Sequence, residues 1–208
     1  MIRTAILGGT FNPIHNGHII IIQELLSQSI VDEVWLMPSG YPPFKPEERK
    51  SASYRYEMCC LAVSGIEHVY VSDYEINSKA PSYTYDTLSK LSELYKNREF
   101  YWVIGFDHLS SLMTWYQASS LLEKFQFILM NRGGYDFHQA AEYLRQIESQ
   151  YPKVFLKVTM PTIEISSTSI RNRVYHRQSL IGYTKDSVID YINHHQLYRE
   201  AQNGSAHS

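Results

Sequence analysis

The stretch GGTFNPIHNGH, residues 8–18, decides how this sequence folds. It follows an apolar run at 3–7 with the composition of a buried strand, and it leads directly into a helix-like segment at 17–27. In a parallel α/β sheet such a turn lies at the carboxyl end of a strand, where helix N-termini bind anions. Gly8 and Gly9 are expected to leave room for a ligand there. The turn therefore predicts a phosphate-binding site.

Neither common phosphate fingerprint is present in this turn. It contains no G-x-G-x-x-G pattern and no Walker A lysine, so dinucleotide dehydrogenases and P-loop hydrolases are disfavoured. It does contain His15 and His18, which are three residues apart and would share one side of a helix that has begun by His15. We expect both to face the phosphate end of the site. The alternatives are structural hydrogen bonding and a metal pair, for which no third ligand is nearby.

The rest of the chain alternates short apolar runs with helix-like segments. This pattern predicts an α/β fold: a doubly wound, Rossmann-like, mostly parallel six-stranded sheet with helices on both faces. The predicted strands are 3–7, 33–37, 69–72, 100–104, 125–130 and 154–159, and the predicted helices are 17–27, 54–64, 83–95, 137–149 and 185–194. We expect one domain over 1–200 with a C-terminal helical extension, and a frayed tail at 201–208.

Composition excludes several classes of function. With 19 Lys and Arg against 21 Asp and Glu, the 208-residue chain offers no broad cationic face for nucleic acid. Its two cysteines, Cys59 and Cys60, are adjacent, and no Cys/His spacing of the zinc type occurs. No apolar run approaches the roughly 20 residues of a membrane span. We expect a cytoplasmic protein with small-molecule partners. The sequence does not determine its oligomeric state.

A second phosphate-binding segment is predicted near the other end of the chain. The residues ISSTSIR, 165–171, follow the sixth predicted strand and read as the opening of a helix. Ser167 and Thr168 lie in its first turn, where N–H groups bind anions, and Arg171 lies one turn further along. Taken alone, this stretch is also typical of an ordinary helix cap followed by a surface charge.

These two stretches resemble motifs of a known family. Residues 8–18 resemble the (T/H)xGH motif of the nucleotidyltransferase superfamily, and 165–171 resemble its ISSTxIR motif. Three further stretches, 38–45, 81–88 and 105–107 followed by Trp115, are similar to bacterial nicotinate-nucleotide adenylyltransferases. The resemblance extends from Ile2 to about Tyr198. It implies transfer of AMP from ATP to nicotinate mononucleotide, with magnesium, giving deamido-NAD and pyrophosphate.

The resemblance also implies roles for individual residues. The catalytic group is His15, His18, Lys45 and Arg171. The ATP contacts are Gly8, Gly9, Thr10, Phe11, His18, Gly105, Asp107, Ser167, Thr168 and Arg171. The nicotinate mononucleotide contacts are Lys45, Tyr83, Thr84, Trp115 and Arg132, and no residue is assigned to a metal.

Blander interpretations of four of these residues remain open. Lys45 could be a solvated loop charge and Asp107 the N-cap of a following helix. Trp115 could be a core residue, and Arg132 could form a surface salt bridge. Asn12 departs from the family pattern, since many members carry Asp there, and Ser39-Gly40 replaces a more amide-rich pair.

The expected chemistry needs no catalytic base, because the attacking 5′-phosphate is already largely ionised at neutral pH. Positioning and fixed N–H or cationic donors would lower the barrier. The alternatives are transfer to nicotinamide mononucleotide or to phosphopantetheine, and a nucleotide-binding regulator without turnover.

Overall fold

In the computed structural model, which describes residues 1–41, 51–131 and 137–199, one sheet of six strands forms the centre of the described chain. All neighbouring strands pair in parallel. The strands are β1 (Ile2–Gly9), β2 (Glu33–Pro38), β3 (Val69–Val71), β4 (Arg98–Gly105), β5 (Gln126–Asn131) and β6 (Phe155–Thr159). The six predicted strands are confirmed, each within a few residues.

Helices connect the strands. They are α1 (Asn16–Ser27), α2 (Ala52–Val63), α3 (Thr84–Leu94), α4 (Leu109–Leu112), α5 (Ala118–Lys124), α6 (Phe137–Gln150), α7 (Ser167–Tyr175) and α8 (Asp186–His194). The five predicted helices and the predicted opening near residue 166 are confirmed. The sequence did not predict α5, which is only 7 residues long. No helix in the described part of the chain combines the length and apolarity needed to cross a bilayer.

Side chains alternate between the two faces of the sheet along each strand, and apolar residues are buried on both faces. In β1, Ala5 and Leu7 belong to one apolar cluster and Ile6 to the other. The first cluster adds Ile22, Met58, Ile170 and Val188 from α1, α2, α7 and α8. The second adds Leu88, Leu109, Leu121 and Ile147 from α3, α4, α5 and α6. Helices therefore cover both faces, which confirms the predicted doubly wound fold.

The strand order is β3-β2-β1-β4-β5-β6, so the chain builds outward from β1 and then returns to start again at β4. The direction of winding reverses between β1 and β4. A crevice opens at the carboxyl ends of strands at such a reversal, and ligands of doubly wound proteins bind there. The loops after Gly9 and Gly105 flank this crevice. The extent of the domain, 1–200, stays a prediction, and 201–208 lie outside the described residues.

Substitution of Gly8 tests the packing at the end of β1. A Cβ atom there would lie 2.3 Å from Cζ2 of Trp102, so a Gly8→Ala side chain overlaps the indole ring. We expect a loss of about 1–3 kcal/mol in the free energy of unfolding, measured by urea denaturation. In a Trp102→Leu background the same substitution should cost less, because the overlapping atoms are gone. Equal costs in both backgrounds would contradict this explanation.

Candidate active site

The turn after β1 is almost wholly buried. Phe11, Asn12 and His15 expose 3%, 4% and 8% of their surface. Phe11 has φ of 49°, and its ring closes the space above Gly9, where a Cβ atom would be 3.2 Å from it. Aromatic rings of the protein therefore occupy the space that side chains on Gly8 and Gly9 would fill. Internal packing explains these glycines, and contact of their backbone with ATP stays a prediction.

His15 and His18 form the opening of α1. His15 is the N-cap, and its backbone N–H donates to Nδ1 of His18 at 3.2 Å. The two imidazole rings lie 3.7 Å apart with planes inclined by 31°, and Phe11 contacts His18 edge-on at 4.9 Å. The spacing predicted that these histidines share one side of the helix, and they do. Among the described residues, no three His, Cys, Asp or Glu side chains gather as a metal site.

The second predicted segment is in direct contact with the first. Ser166 caps α7, since its Oγ accepts the N–H of Ser169 at 3.1 Å. From the first turn, Ser167 Oγ donates to the carbonyl of Pro13 at 2.8 Å. One turn further, Arg171 Nη1 donates to the carbonyl of Asn12 at 2.8 Å, and Nη2 donates to Thr168 Oγ1 at 3.1 Å. The openings of α1 and α7 therefore lie side by side.

A third loop follows β4 across the crevice. Gly105 is buried at the end of the strand and precedes the 3₁₀ turn Phe106–His108. Asp107 lies inside this turn with 51% of its side chain exposed, and its Oδ2 is 3.7 Å from Nε2 of His108. The alternative that Asp107 caps the following helix is wrong, because the N-cap of α4 is His108. An exposed carboxylate at this position can accept a hydrogen bond from a ribose hydroxyl.

The residues predicted to contact the pyridine ring lie at the opening of α3 and after α4. Tyr83 is the N-cap residue of α3, directly before Thr84, and both are half-buried. The Tyr83 ring stacks on Tyr116 with centroids 4.6 Å apart and planes inclined by 28°. Trp115 packs partly buried against the second core cluster, so part of its ring does belong to the core. Sequence reasoning missed Tyr116, although it is the direct neighbour of Trp115.

Sequence and fold comparisons agree with this geometry. The chain matches the cytidylyltransferase-like family over residues 6–173. The nicotinate-nucleotide adenylyltransferase of Bacillus subtilis is 37% identical to it over 199 residues, which cover 95% of this chain and 99% of that protein. A protein of Oceanobacillus iheyensis named "Probable nicotinate-nucleotide adenylyltransferase" is 36% identical over 203 residues, 98% of this chain and 100% of its own length. The chain belongs to the nicotinate-nucleotide adenylyltransferase family.

Solved structures share the fold of this family member. The nicotinic acid mononucleotide adenylyltransferase of Plasmodium falciparum complexed with NaAD superposes with a TM-score of 0.76 at 21% identity, covering 95% of this chain and 98% of that one. The same enzyme complexed with APC gives a TM-score of 0.74. Two residues to which the family resemblance assigns roles, Lys45 and Arg132, lie outside the described residues. Their roles stay predictions.

Sequence reasoning missed the buried charge that supports this family's first motif. Arg55 of α2 is fully buried, and its guanidinium donates at 2.6 Å to the carbonyls of both Thr10 and Ser39. Its Nε also donates to Ser51 Oγ at 3.1 Å. One side chain thus ties together the ends of β1 and β2 and the start of α2. A single arginine in a helical segment gives no sequence signal of burial.

Replacement of Arg55 tests this tie. Arg55→Met removes the donors of two loop carbonyls, and we expect a loss of about 2–4 kcal/mol in the free energy of unfolding, measured by urea denaturation. The matched control is Arg3→Met, which breaks the exposed ion pair between Arg3 and Asp32 and should have a much smaller effect. Similar losses for the two variants would contradict the role of Arg55.

Proposed function

We propose that the protein transfers AMP from ATP to nicotinate mononucleotide, forming deamido-NAD and pyrophosphate. The observation that carries the proposal is the contact between the openings of α1 and α7, made by Ser167 and Arg171 on the turn after β1. Family membership over nearly the whole chain supports the same reaction. Substrates of this kind are small molecules, and we propose that the chain acts on them in the cytoplasm as a single domain over 1–200.

The reaction needs a held triphosphate rather than an acid or a base. An oxygen of the acceptor 5′-phosphate forms a bond to the α-phosphorus of ATP, while the bond from that phosphorus to the β-bridging oxygen breaks. Pyrophosphate leaves with the electron pair. Charge grows on the phosphoryl oxygens, so fixed donors stabilise the transition state more than the ground state. Helix openings provide such donors without reorganisation.

The hydrogen bonding of His18 fixes which nitrogen can act as a donor. Because Nδ1 accepts the backbone N–H of His15, the proton of a neutral imidazole lies on Nε2. We therefore propose that His18 donates from Nε2 to an oxygen on the transferring phosphorus. His15, whose ring lies alongside, would act next to it on the same phosphates. Lys45 and Arg171 would complete the proposed catalytic group as its two cations.

ATP enters as its magnesium complex in this proposal. Magnesium keeps most of its water and is commonly held through substrate phosphates. The side chains described around the two helix openings are imidazoles, hydroxyls and a guanidinium, which can donate to phosphate oxygens, whereas magnesium is usually held by carboxylates and by the phosphates themselves. Gly105 and Asp107 would contact the adenosine part, and Tyr83, Thr84, Trp115 and Arg132 would contact nicotinate mononucleotide.

The experiment that tests the function is a product assay. Purified protein with ATP, magnesium and nicotinate mononucleotide should release pyrophosphate and form deamido-NAD. Parallel reactions with nicotinamide mononucleotide and phosphopantetheine should give lower kcat/KM. Faster turnover of either alternative acceptor would identify that acceptor as the substrate instead. ATP binding without any product would favour a regulator.

Two substitutions distinguish the hydrogen bond that His18 Nδ1 accepts at the opening of α1 from the proposed donor role of Nε2. His18→Asn keeps an acceptor near the position of Nδ1 but lacks Nε2, whereas His18→Gln places an amide near Nε2 and loses the cap. We expect His18→Asn to lower kcat about 10²- to 10³-fold with ATP affinity little changed, since one transition-state donor is lost. His18→Gln should retain more activity. The control is His176→Ala, which changes the exposed C-cap residue after α7, and an unchanged kcat in folded His18→Asn would exclude the role.

A further inference from the structure

A second charge is buried near the carboxyl ends of the strands, next to the opening of α3. Glu75 follows β3 and exposes only 4% of its surface. Within residues 1–41, 51–131 and 137–199, no Lys, Arg or His forms an ion pair with it. A carboxylate taken out of water without a counter-ion is costly, so hydrogen bonds have to stabilise it.

Two hydroxyl groups provide those hydrogen bonds. Thr87 Oγ1 donates to Glu75 Oε1 at 2.7 Å, and the Ser82 side chain also donates to the carboxylate. Burial raises the pKa of Glu75 above its ordinary value, and these two hydrogen bonds oppose that rise. A carboxylate accepts from two hydroxyls at once, which an amide or a neutral side chain does less well.

The two donors flank the opening of α3. Ser82 directly precedes Tyr83, the N-cap residue, and Thr87 lies in the first turn, where its N–H donates to the carbonyl of Tyr83 at 3.0 Å. Glu75 therefore holds both sides of the segment that carries Tyr83 and Thr84. The opening of α3 has no cap hydrogen bond from its own N-cap side chain, so its position depends on such external ties.

The backbone of Glu75 supports a second segment. A Cβ atom on Gly40 would lie 2.0 Å from the Glu75 carbonyl oxygen, so the loop after β2 lies directly on this residue. Tyr41, next in that loop, exchanges hydrogen bonds with Ser82: Ser82 N–H donates to its carbonyl at 2.9 Å, and its own N–H donates to Ser82 Oγ at 3.4 Å. Glu75, the loop at 39–41 and the opening of α3 form one connected unit.

We infer that Glu75 is a positioning residue for the acceptor, which fixes the opening of α3 so that Tyr83 and Thr84 meet the pyridine ring and its carboxylate. This inference rests on the proposed function. It concerns recognition of nicotinate mononucleotide rather than the triphosphate site, because the two hydroxyls from which the Glu75 side chain accepts flank the opening of α3. The chemistry predicts a change in acceptor binding without a change in the bond-forming step.

The test is a comparison of KM values in Glu75→Gln. This variant keeps the shape of the side chain but turns an NH2 group toward one of the two hydroxyls. We expect KM for nicotinate mononucleotide to rise about tenfold, the effect of losing one hydrogen bond to a charged group, with KM for ATP and kcat nearly constant. The preference in kcat/KM for the acid over the amide acceptor should fall.

Glu33→Gln is the matched control. Glu33 is also a buried carboxylate that accepts a threonine hydroxyl, from Thr4 at 2.7 Å, but it lies at the amino end of β2. It should lower stability without altering the ratio of the two KM values. Thr87→Val is a milder second variant. It removes one of the two hydrogen bonds that Glu75→Gln weakens, so Glu75→Gln should add less to it than to the wild-type protein.

The outcomes separate the inference from the proposed function. Wild-type protein that forms no deamido-NAD would refute the proposed function. Active wild-type protein, combined with a Glu75→Gln or Thr87→Val variant whose KM for nicotinate mononucleotide is unchanged or lowered, would overturn the inference alone. An equal rise in both KM values, reproduced by Glu33→Gln, would overturn it as well, because it indicates general destabilisation.

Discussion

The site depends on the hydrogen bonds that α7 donates to the turn after β1. The turn is buried but belongs to no strand, so its carbonyls need donors from elsewhere in the chain. Ser167 reaches back 154 residues to Pro13, and Arg171 reaches back 159 residues to Asn12. These donors come from the N-terminal part of α7. The hydrogen bonds that satisfy the carbonyls of Pro13 and Asn12 therefore also bring the opening of α7 beside the opening of α1. The fold and the proposed phosphate site share one cause.

Other remote segments hold the same turn. Thr184 donates to the carbonyl of Ile14 at 3.0 Å, and Tyr198 donates to Oδ1 of Asn12 at 2.5 Å. Together with Arg55, these contacts fix the turn from the C-terminal region and from α2 before any ligand arrives. Preorganised donors cost no reorganisation during a reaction. The residues on either side of the predicted C-terminal helix, Thr184 and Tyr198, therefore support the proposed site. The sequence alone did not indicate this role.

Periodicity predicted the strands because each is a short run rich in apolar residues, and β1, β2 and β4 are largely buried on both faces. It missed α5, which is short and follows Gln117 in a left-handed conformation, with φ of 55°. The glycines at the end of β1 were recognised, but Trp102 and Phe11 fill the spaces beside them. Motif resemblance found the histidines of the α1 opening and the residues of α7 that contact the turn before it. It could not find Arg55 or Glu75, since burial of a charge depends on contacts that are distant in sequence.

These two buried charges have opposite signs for a reason that follows from their neighbours. The loop groups that Arg55 hydrogen-bonds are carbonyls, which need donors. Its positive charge also lies on the side where phosphates are proposed to bind. Around Glu75 the groups are hydroxyls, which it orients by accepting from both, and it sits beside the positive end of α3. Exchanging the signs would leave carbonyls facing a carboxylate and would place a negative charge under the triphosphate. The hydrogen-bonding needs of the two loops therefore select this arrangement, and at Arg55 the charge of the proposed triphosphate favours it as well.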